Sequence, residues 1–525
     1  MKLNKALLAS SLVAAVAVAG CSKDNSSGTP GSSATPGQSA APAKEKITLV
    51  WNLEQTLAAS QLPADASKDF VKKAIDEKFN VDLKIEAAVN SPEREAKLAV
   101  KLASGDAPAI FTPGTTGGVK FQNDGLTTDA EKFLNEKTAP NYFKWVKPSE
   151  FKGYRLEGLT GRVPIPFART QYVSYYIRQD WLDKLSLKAP TTYDEYVNVL
   201  KAFTNNDPDG NGKKDTYGFS AAGNSRMSMD FPEWPKNGLF ASFVENNQYI
   251  DGQTDPRVSK VVDDILARMG EGVIDPDWFL NKGQTHVDKA VQGKIGIILG
   301  GTRDFAFDGN AAGLQARTKA VNPKADWQPF NPLGEAPIRA GVVPGAGIMF
   351  SKQVGDKNPE ALKRSVEILD WLCSEEGFLL THYGIEGKHY TKNGKEITIK
   401  KEAYEADISK NGNFLDIYDF FAPNEPEVLG LKVNDTTMTD RDKKIEQKLL
   451  GMKYYAALGS NLFPPQGVDL ATWRNRMYEL QGKMLFDDKS SKNWPAYREE
   501  LMTKYNGQKI VDNYTKNLKD AGVIK

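Results

Sequence analysis

Between Ile47 and Phe111 the apolar pattern switches repeatedly between the period of a strand and that of a helix. Ile47-Thr48-Leu49-Val50-Trp51 is rich in β-formers and reads as a strand. Phe70, Val71, Ala74, Ile75 and Phe79 then fall on one helical face. Val81-Asp82-Leu83-Lys84-Ile85 alternates as a second strand. Ser91-Pro92-Glu93 opens another helix, with Ser91 as N-cap and Pro92 at the first helical position. That helix runs through Ala96, Leu98, Ala99 and Leu102 to the breaker Ser104-Gly105-Asp106, and Ala109-Ile110-Phe111 follows as a third strand. Strands alternating with helices cover both faces of a mostly parallel sheet, so the pattern predicts a doubly wound α/β layer.

Further on, 172–178 (YVSYYIR) reads as a strand. Thr192 and Glu195 form a capping box ahead of Tyr196, Val199, Leu200 and Phe203, the buried face of the next helix. Residues 294–299 (KIGIIL) are a strand running into Gly300-Gly301-Thr302-Arg303, and 341–350 is another apolar run. Ala361, Leu362, Val366, Leu369 and Leu372 mark a helix from Pro359. From Trp473 to near Ala521 the chain reads as helical, with breaks at Asn493-Trp494-Pro495 and Asn506-Gly507.

The N-terminus carries an address. Lys2 and Lys5 precede an apolar run from Ala6 to Ala19, the length of a secretory signal and too short to span a bilayer. It ends Val18-Ala19-Gly20-Cys21-Ser22, which resembles a bacterial lipobox; the resemblance implies cleavage before Cys21 and lipidation of Cys21. Residues 22–43 are mostly Ser, Gly, Pro and Ala, a flexible tether. Lipid, tether and globular body together imply a protein held at a membrane and working in the solvent beyond it. With Cys21 lipidated, Cys373 has no partner for an intramolecular disulfide.

Residues 205–218 (NNDPDGNGKKDTYG) space oxygen ligands at alternate positions. Counting Asp207 as first, Asp207, Asp209, Asn211 and Asp215 offer side-chain oxygens, Lys213 a carbonyl, and Gly212 the turn. This predicts a Ca²⁺ site. A solvated Asx turn uses the same residue types but needs no such regularity. Position twelve is Gly218, where an EF-hand has a bidentate Glu.

Charge narrows the partners. There are 68 basic and 67 acidic residues, and loss of the signal removes two of the lysines, so no basic bias points to nucleic acid. Three His and no Cys/His cluster leave little for zinc. No G-x-S-x-G, HExxH or P-loop occurs.

The order of several segments is similar to that of a known family. The lipobox and tether, LASGDAPAIF at 102–111, YYIRQDWLDKL at 175–185, APTTYDEY followed by DPDGNGKKDTYG, and YGIEGKHY at 383–390 resemble the large extracellular solute-binding lipoproteins of carbohydrate ABC importers. Alginate-oligosaccharide-binding and maltose-binding proteins are among them. The resemblance implies an α/β, two-lobe periplasmic-binding-protein-like fold (type II) with a ligand cleft between the lobes. After a signal at 1–20 and a lipidated tether at 21–45, lobe 1 is expected from 46–168 with about 340–430. Lobe 2 is expected from 169–339 with about 431–525. It also implies an oligosaccharide ligand, ABC permease subunits as partners, a lipid anchor in the bilayer, a monomer, no catalysis, and a structural Ca²⁺ outside the cleft.

Sugars present apolar ring faces and hydroxyls, so aromatic, charged and amide side chains at strand ends are the candidates. These are Trp51, Asn52, Asp106, Phe111, Thr112, Tyr175, Arg178, Trp234 and Arg303. Each aromatic could instead be core; that reading is preferred for Trp181 and Trp371 and stays open for Trp51 and Trp234. Asp106 could simply cap a loop, and Arg178 could pair with a carboxylate. Two other functions fit the address: a lipid-anchored polysaccharide-active enzyme, or a surface adhesion or Ca²⁺-docking module. Two facing carboxylates would serve the enzyme, and a docking module would be expected to repeat the Asp loop.

Overall fold

The computed structural model describes residues 45–55, 60–89, 91–114, 117–155, 158–341, 347–435, 438–456, 458, 462, 464–465 and 467–525. Cys21, the signal and the tether lie outside them.

Strands β1 (Ile47–Gln55), β2 (Val81–Val89) and β3 (Ile110–Phe111) form where the alternating pattern places them. They pair in parallel, with β1 in the middle, in registers that set Ile47 opposite Val81 and Trp51 opposite Ile110. The connecting helices start and stop on local signals. Asp69 accepts the Lys72 N–H at 2.9 Å to begin Phe70–Phe79, and Asn80, at φ 51°, ends it. Ser91 accepts the Arg94 N–H at 3.2 Å to begin Pro92–Ser104. Val71 and Ile75 on one helix, and Leu98 and Leu102 on the other, are buried.

After β4 (Val163–Pro164) the chain builds a second sheet from β5 (Ser174–Arg178), β6 (Tyr217–Phe219), β9 (Ile295–Gly300) and β10 (Trp327–Phe330). Its order is β10-β5-β9-β6, with β6 parallel to β9 and β5 antiparallel to both neighbours. The helix Tyr193–Asn205 covers it, and the approach is close: a Cβ on Gly296 would lie 2.2 Å from the Phe203 ring. Between β6 and β9, β7 (Ser242–Glu245) and β8 (Gln248–Asp251) form a hairpin. Asn246 and Asn247 turn it at φ 50° and 63°, as a two-residue hairpin loop requires.

Strand β11 (Gly347–Phe350) then returns to the first sheet and inserts between β3 and β4, antiparallel to both, giving β2-β1-β3-β11-β4. Beyond it, β12 (Tyr390–Asn393), β13 (Glu396–Ile399) and β14 (Lys432–Asn434) make a small separate sheet. The helices Leu470–Phe486, Trp494–Thr503 and Gly507–Asp520 form the tail, interrupted where the sequence places its breaks.

The apolar side chains sort into two main cores. One draws on 49–163 and 348–431, the other on 175–338 and 458–524. Each sheet has its own core and its own helices, so the chain is a mixed α/β protein of two lobes.

Candidate ligand-binding site

In open α/β sheets a ligand has access just past the carboxyl ends of the strands. In the first sheet those ends belong to β1, β2, β3 and β4, and the residues of β1 and β3 concern the site. Because β11 is antiparallel to them, its amino end lies at the same edge, opposite Pro164 of β4. The chain therefore leaves the first lobe, and re-enters it, at this edge. In the second lobe it arrives at Ser174 and departs after Phe330, and Ser174 pairs with Gly300, the last residue of β9. The crossings thus join the carboxyl edge of one sheet to that of the other.

At the first edge Asn52, Thr112 and Arg94 interlock. The Arg94 Nη2 donates to Asn52 Oδ1 at 2.9 Å, to the Thr112 carbonyl at 2.9 Å and to Thr112 Oγ1 at 3.4 Å. Thr112 Oγ1 also accepts the Glu54 N–H. Asn52 donates to Glu86 Oε2 at 3.0 Å, and Lys101 pairs with the other oxygen. Glu54 is exposed at the end of β1; partial burial pushes its carboxyl up, while the Arg94 and Arg162 charges pull it down.

At the second edge a cavity of about 310 Å³ opens beside Gly300 and Gly301. It is lined by the half-buried ring of Phe305 together with Gln284, His286, Thr302 and Arg317. His286 is 8% exposed, and its Nδ1 has no well-formed hydrogen bond among the described residues. Burial pushes this imidazole below its ordinary range, with Asp230 opposing. Carboxylates stand behind the lining: Asp288 accepts from Arg317 at 2.5 Å, and Asp304 from Asn310 at 2.9 Å.

The structure redistributes the residues singled out in the sequence. Trp51 is 1% exposed; its indole donates to Ser365 Oγ at 3.0 Å and its ring packs in the first core. Trp234 is 0% exposed and donates to the Ser228 carbonyl at 2.9 Å. Neither ring has a face free for a sugar, so the core reading is the correct one for both. Phe111 is likewise enclosed, by Leu98, Leu102, Phe121 and Met349. The Asp106 side chain is 83% exposed but precedes β3, so it lies at the amino end of that strand, away from the crossings. Arg178 ends β5 at the edge opposite Ser174, where it pairs with Asp180 at 2.5 Å and stacks on Trp181 at 4.6 Å. Tyr175 is buried, its hydroxyl donating to the Asp230 carbonyl at 2.9 Å. Asn52, Thr112 and Arg303 remain at the facing edges, Arg303 bonded through Nε to Glu446. Phe305 and Thr302 were within reach of the rule that selected Arg303, since they follow the same strand. Arg94 and His286 carry no such signal, because only the folded chain brings them to the edges.

The Asp loop is wound around its own first residue. Asp207, at φ 45°, accepts the N–H groups of Gly210 at 2.9 Å, Asn211 at 3.0 Å and Gly212 at 3.1 Å. Asn211 donates to Asp209 at 2.7 Å and to Asp215 at 3.1 Å. Among the described residues no three Asp, Glu, His or Cys side chains converge as they stand on a metal position. The donor set nonetheless suits a hard cation: burial pushes the Asp209 carboxyl up, and Asp207 and Asp215 add repulsion that a cation would relieve. Gly218 cannot be the missing twelfth ligand's place, because a Cβ there would lie 2.6 Å from the Leu200 Cα.

The family model for bacterial extracellular solute-binding proteins matches residues 68–385. The chain belongs to this family. Among its relatives is the polygalacturonan/rhamnogalacturonan-binding protein YtcQ of Bacillus subtilis, 26% identical over 477 residues, covering 86% of this chain and 89% of that protein. Two solved solute-binding proteins share its fold. One, an HMO-binding, ABC-transporter-associated protein from Bifidobacterium longum infantis, has a TM-score of 0.65 at 20% identity, covering 92% of this chain and 100% of the other. The other, the alginate-binding protein AlgQ2 in a form without calcium ion, has a TM-score of 0.62 at 17% identity, covering 91% and 99%.

Proposed function

We propose that this chain is the capture component of a carbohydrate ABC importer. It is anchored through Cys21 to the outer face of a bacterial cell membrane, binds an oligosaccharide between its two lobes, and delivers it to a membrane permease without altering it. The observation that carries this reading is the second-lobe cavity. Phe305 offers a ring face, and Gln284, His286 and Thr302 offer polar atoms beside it, which is the composition a sugar ring calls for. Asn52, Glu54 and Thr112 stand at the carboxyl edge of the other sheet, the edge that the crossings join to this one. A ligand touching both lobes binds the closed form better and shifts the population towards it. YtcQ, whose name records binding of polygalacturonan and rhamnogalacturonan, lends weight to a saccharide as the ligand.

A Ca²⁺ ion belongs to the same reading, held by Asp207, Asp209, Asn211, Asp215 and the Lys213 carbonyl, with water completing the shell. It would fasten the end of the helix Tyr193–Asn205 to β6 and take no part in the cleft.

Small-angle scattering across an oligosaccharide panel tests capture: the best ligand is expected to shrink the radius of gyration. Phe305→Ala is expected to weaken binding by about 1–3 kcal/mol, as for a buried aromatic anchor. A ligand that binds with no change in dimensions removes the closing cleft. New reducing ends on incubation with polysaccharide would favour the enzyme instead.

A further inference from the structure

The carboxyl edge of the first sheet holds a cation whose bonding is incomplete. Arg94 is 6% exposed, yet all its hydrogen bonds leave from one nitrogen, Nη2, and end on neutral oxygens of Asn52 and Thr112. Its Nε and Nη1 are shielded from solvent and have no acceptor among the described residues. Among the described residues no carboxylate stands within ion-pair distance of it; Glu54 and Glu95 act on it only through space. A buried guanidinium without a bonded counter-ion is costly, and the packing of an edge does not call for one. Asn52, which holds Nη2, is half-buried, so the guanidinium lies one side chain below the surface of the edge. Beside it, the Glu54 carboxylate accepts no hydrogen bond among the described residues, and Arg162, also buried, adds a second positive charge on the same side.

We propose that this edge receives the carboxylate of an acidic sugar, with Arg94 as its counter-ion, so that the ligand is a uronate-containing oligosaccharide. The inference rests on the capture reading above and narrows it. A uronic acid carries a carboxylate next to ring hydroxyls. The carboxylate would take the unused Arg94 donors, and a neighbouring hydroxyl would donate to Glu54. Such charge-assisted bonds are stronger than neutral ones. The guanidinium that lines the second-lobe cavity, Arg317, is already bonded to Asp288, and Asp304 and Asp230 add negative charge around the cavity, so a carboxylate gains less there than beside Arg94. The acid group is therefore directed to the first sheet and an uncharged ring face to Phe305.

Calorimetric titration of the mature protein tests this with trigalacturonate and with its fully methyl-esterified form, which keeps the rings and hydroxyls and loses the charge. The free acid is expected to bind about tenfold tighter or more, the difference that hydrogen bonds to a charged group make. Arg94→Gln is expected to bring the acid down to the affinity of the ester, and Arg94→Lys, which keeps the charge, to retain part of the preference. Equal affinities, a tighter ester, or a preference that survives Arg94→Gln overturns the assignment. The wild-type comparison of acid and ester decides it even if a variant fails to fold. If neither galacturonate probe binds while a neutral oligosaccharide does, the acidic class is wrong and sugar capture stands. If no sugar in the panel binds, capture falls and the acidic class with it.

Discussion

Glu233 should make the second lobe less stable as pH rises. It opens the short helix Glu233–Lys236, is 1% exposed, accepts the Tyr193 hydroxyl at 2.7 Å through Oε1, and leaves Oε2 with no partner among the described residues. Burial, helped by Asp264, pushes its carboxyl from 4.5 up to about 7, with the Tyr193 bond opposing. The folded chain thus keeps a proton there that the unfolded chain releases at about 4.5. Between those values the native state binds more protons, so stability falls as pH rises, and above about 7 the whole difference is lost. At about 1.4 kcal/mol per pKa unit, the penalty is about 1 kcal/mol at pH 5 and about 3 kcal/mol at pH 8. Glu233→Gln keeps the shape and the acceptor for Tyr193 but cannot ionise. Urea unfolding of both proteins at the two pH values should show the variant gaining about 2–3 kcal/mol more at pH 8 than at pH 5. An equal effect at both, or a larger gain at pH 5, would refute the claim that Glu233 is buried as the acid.

Cys21→Ser should move the protein from the membrane fraction to the medium or leave its signal uncut; a variant that still sediments with membranes through a lipid would rule out this anchor. A chelator should lower the melting temperature by removing an ion that binds only the folded state, and Asp209→Ala should abolish that response; identical melting curves with and without chelator would reject a structural ion. Gly218→Ala should cost about 1–3 kcal/mol as an overpacked core site, because its new methyl meets backbone of the helix Tyr193–Asn205; a neutral result in thermal unfolding would show that the helix yields.

Much of the first lobe could be read from the chain because its signals are local. Ser91, Pro92 and Gly105 bound a helix without help from anything distant, and the alternation of periods sets β1, β2 and β3 in parallel order. The candidate binding residues were less legible. Trp51 and Trp234 look like stacking platforms because they are large and stand near strand ends or Pro-rich loops. Which side of a strand faces the core depends on partners such as Ser365 and Phe420, more than 300 residues away from Trp51. Asp106 failed for a directional reason: a loop entering a parallel strand lies at the edge opposite the one that faces the crossings. Arg303, Thr302 and Phe305 share one strand end, and only the cavity distinguishes the ring that lines it from the guanidinium tied to Glu446.

The position of β11 bears on how the chain matures. It is an interior strand of the first sheet, hydrogen-bonded to β3 on one side and β4 on the other, yet it is made only after all four strands of the second sheet. An emerging chain therefore holds β3 and β4 apart, each with an unpaired edge, while the second lobe already has its four strands. Contacts this distant in sequence close slowly, and open strand edges invite pairing with other chains. A ribosome stalled just before Gly347 would carry two unfinished lobes, the first lacking β11 and the second lacking the tail helices that complete its core, and that intermediate is where a chaperone has most to protect.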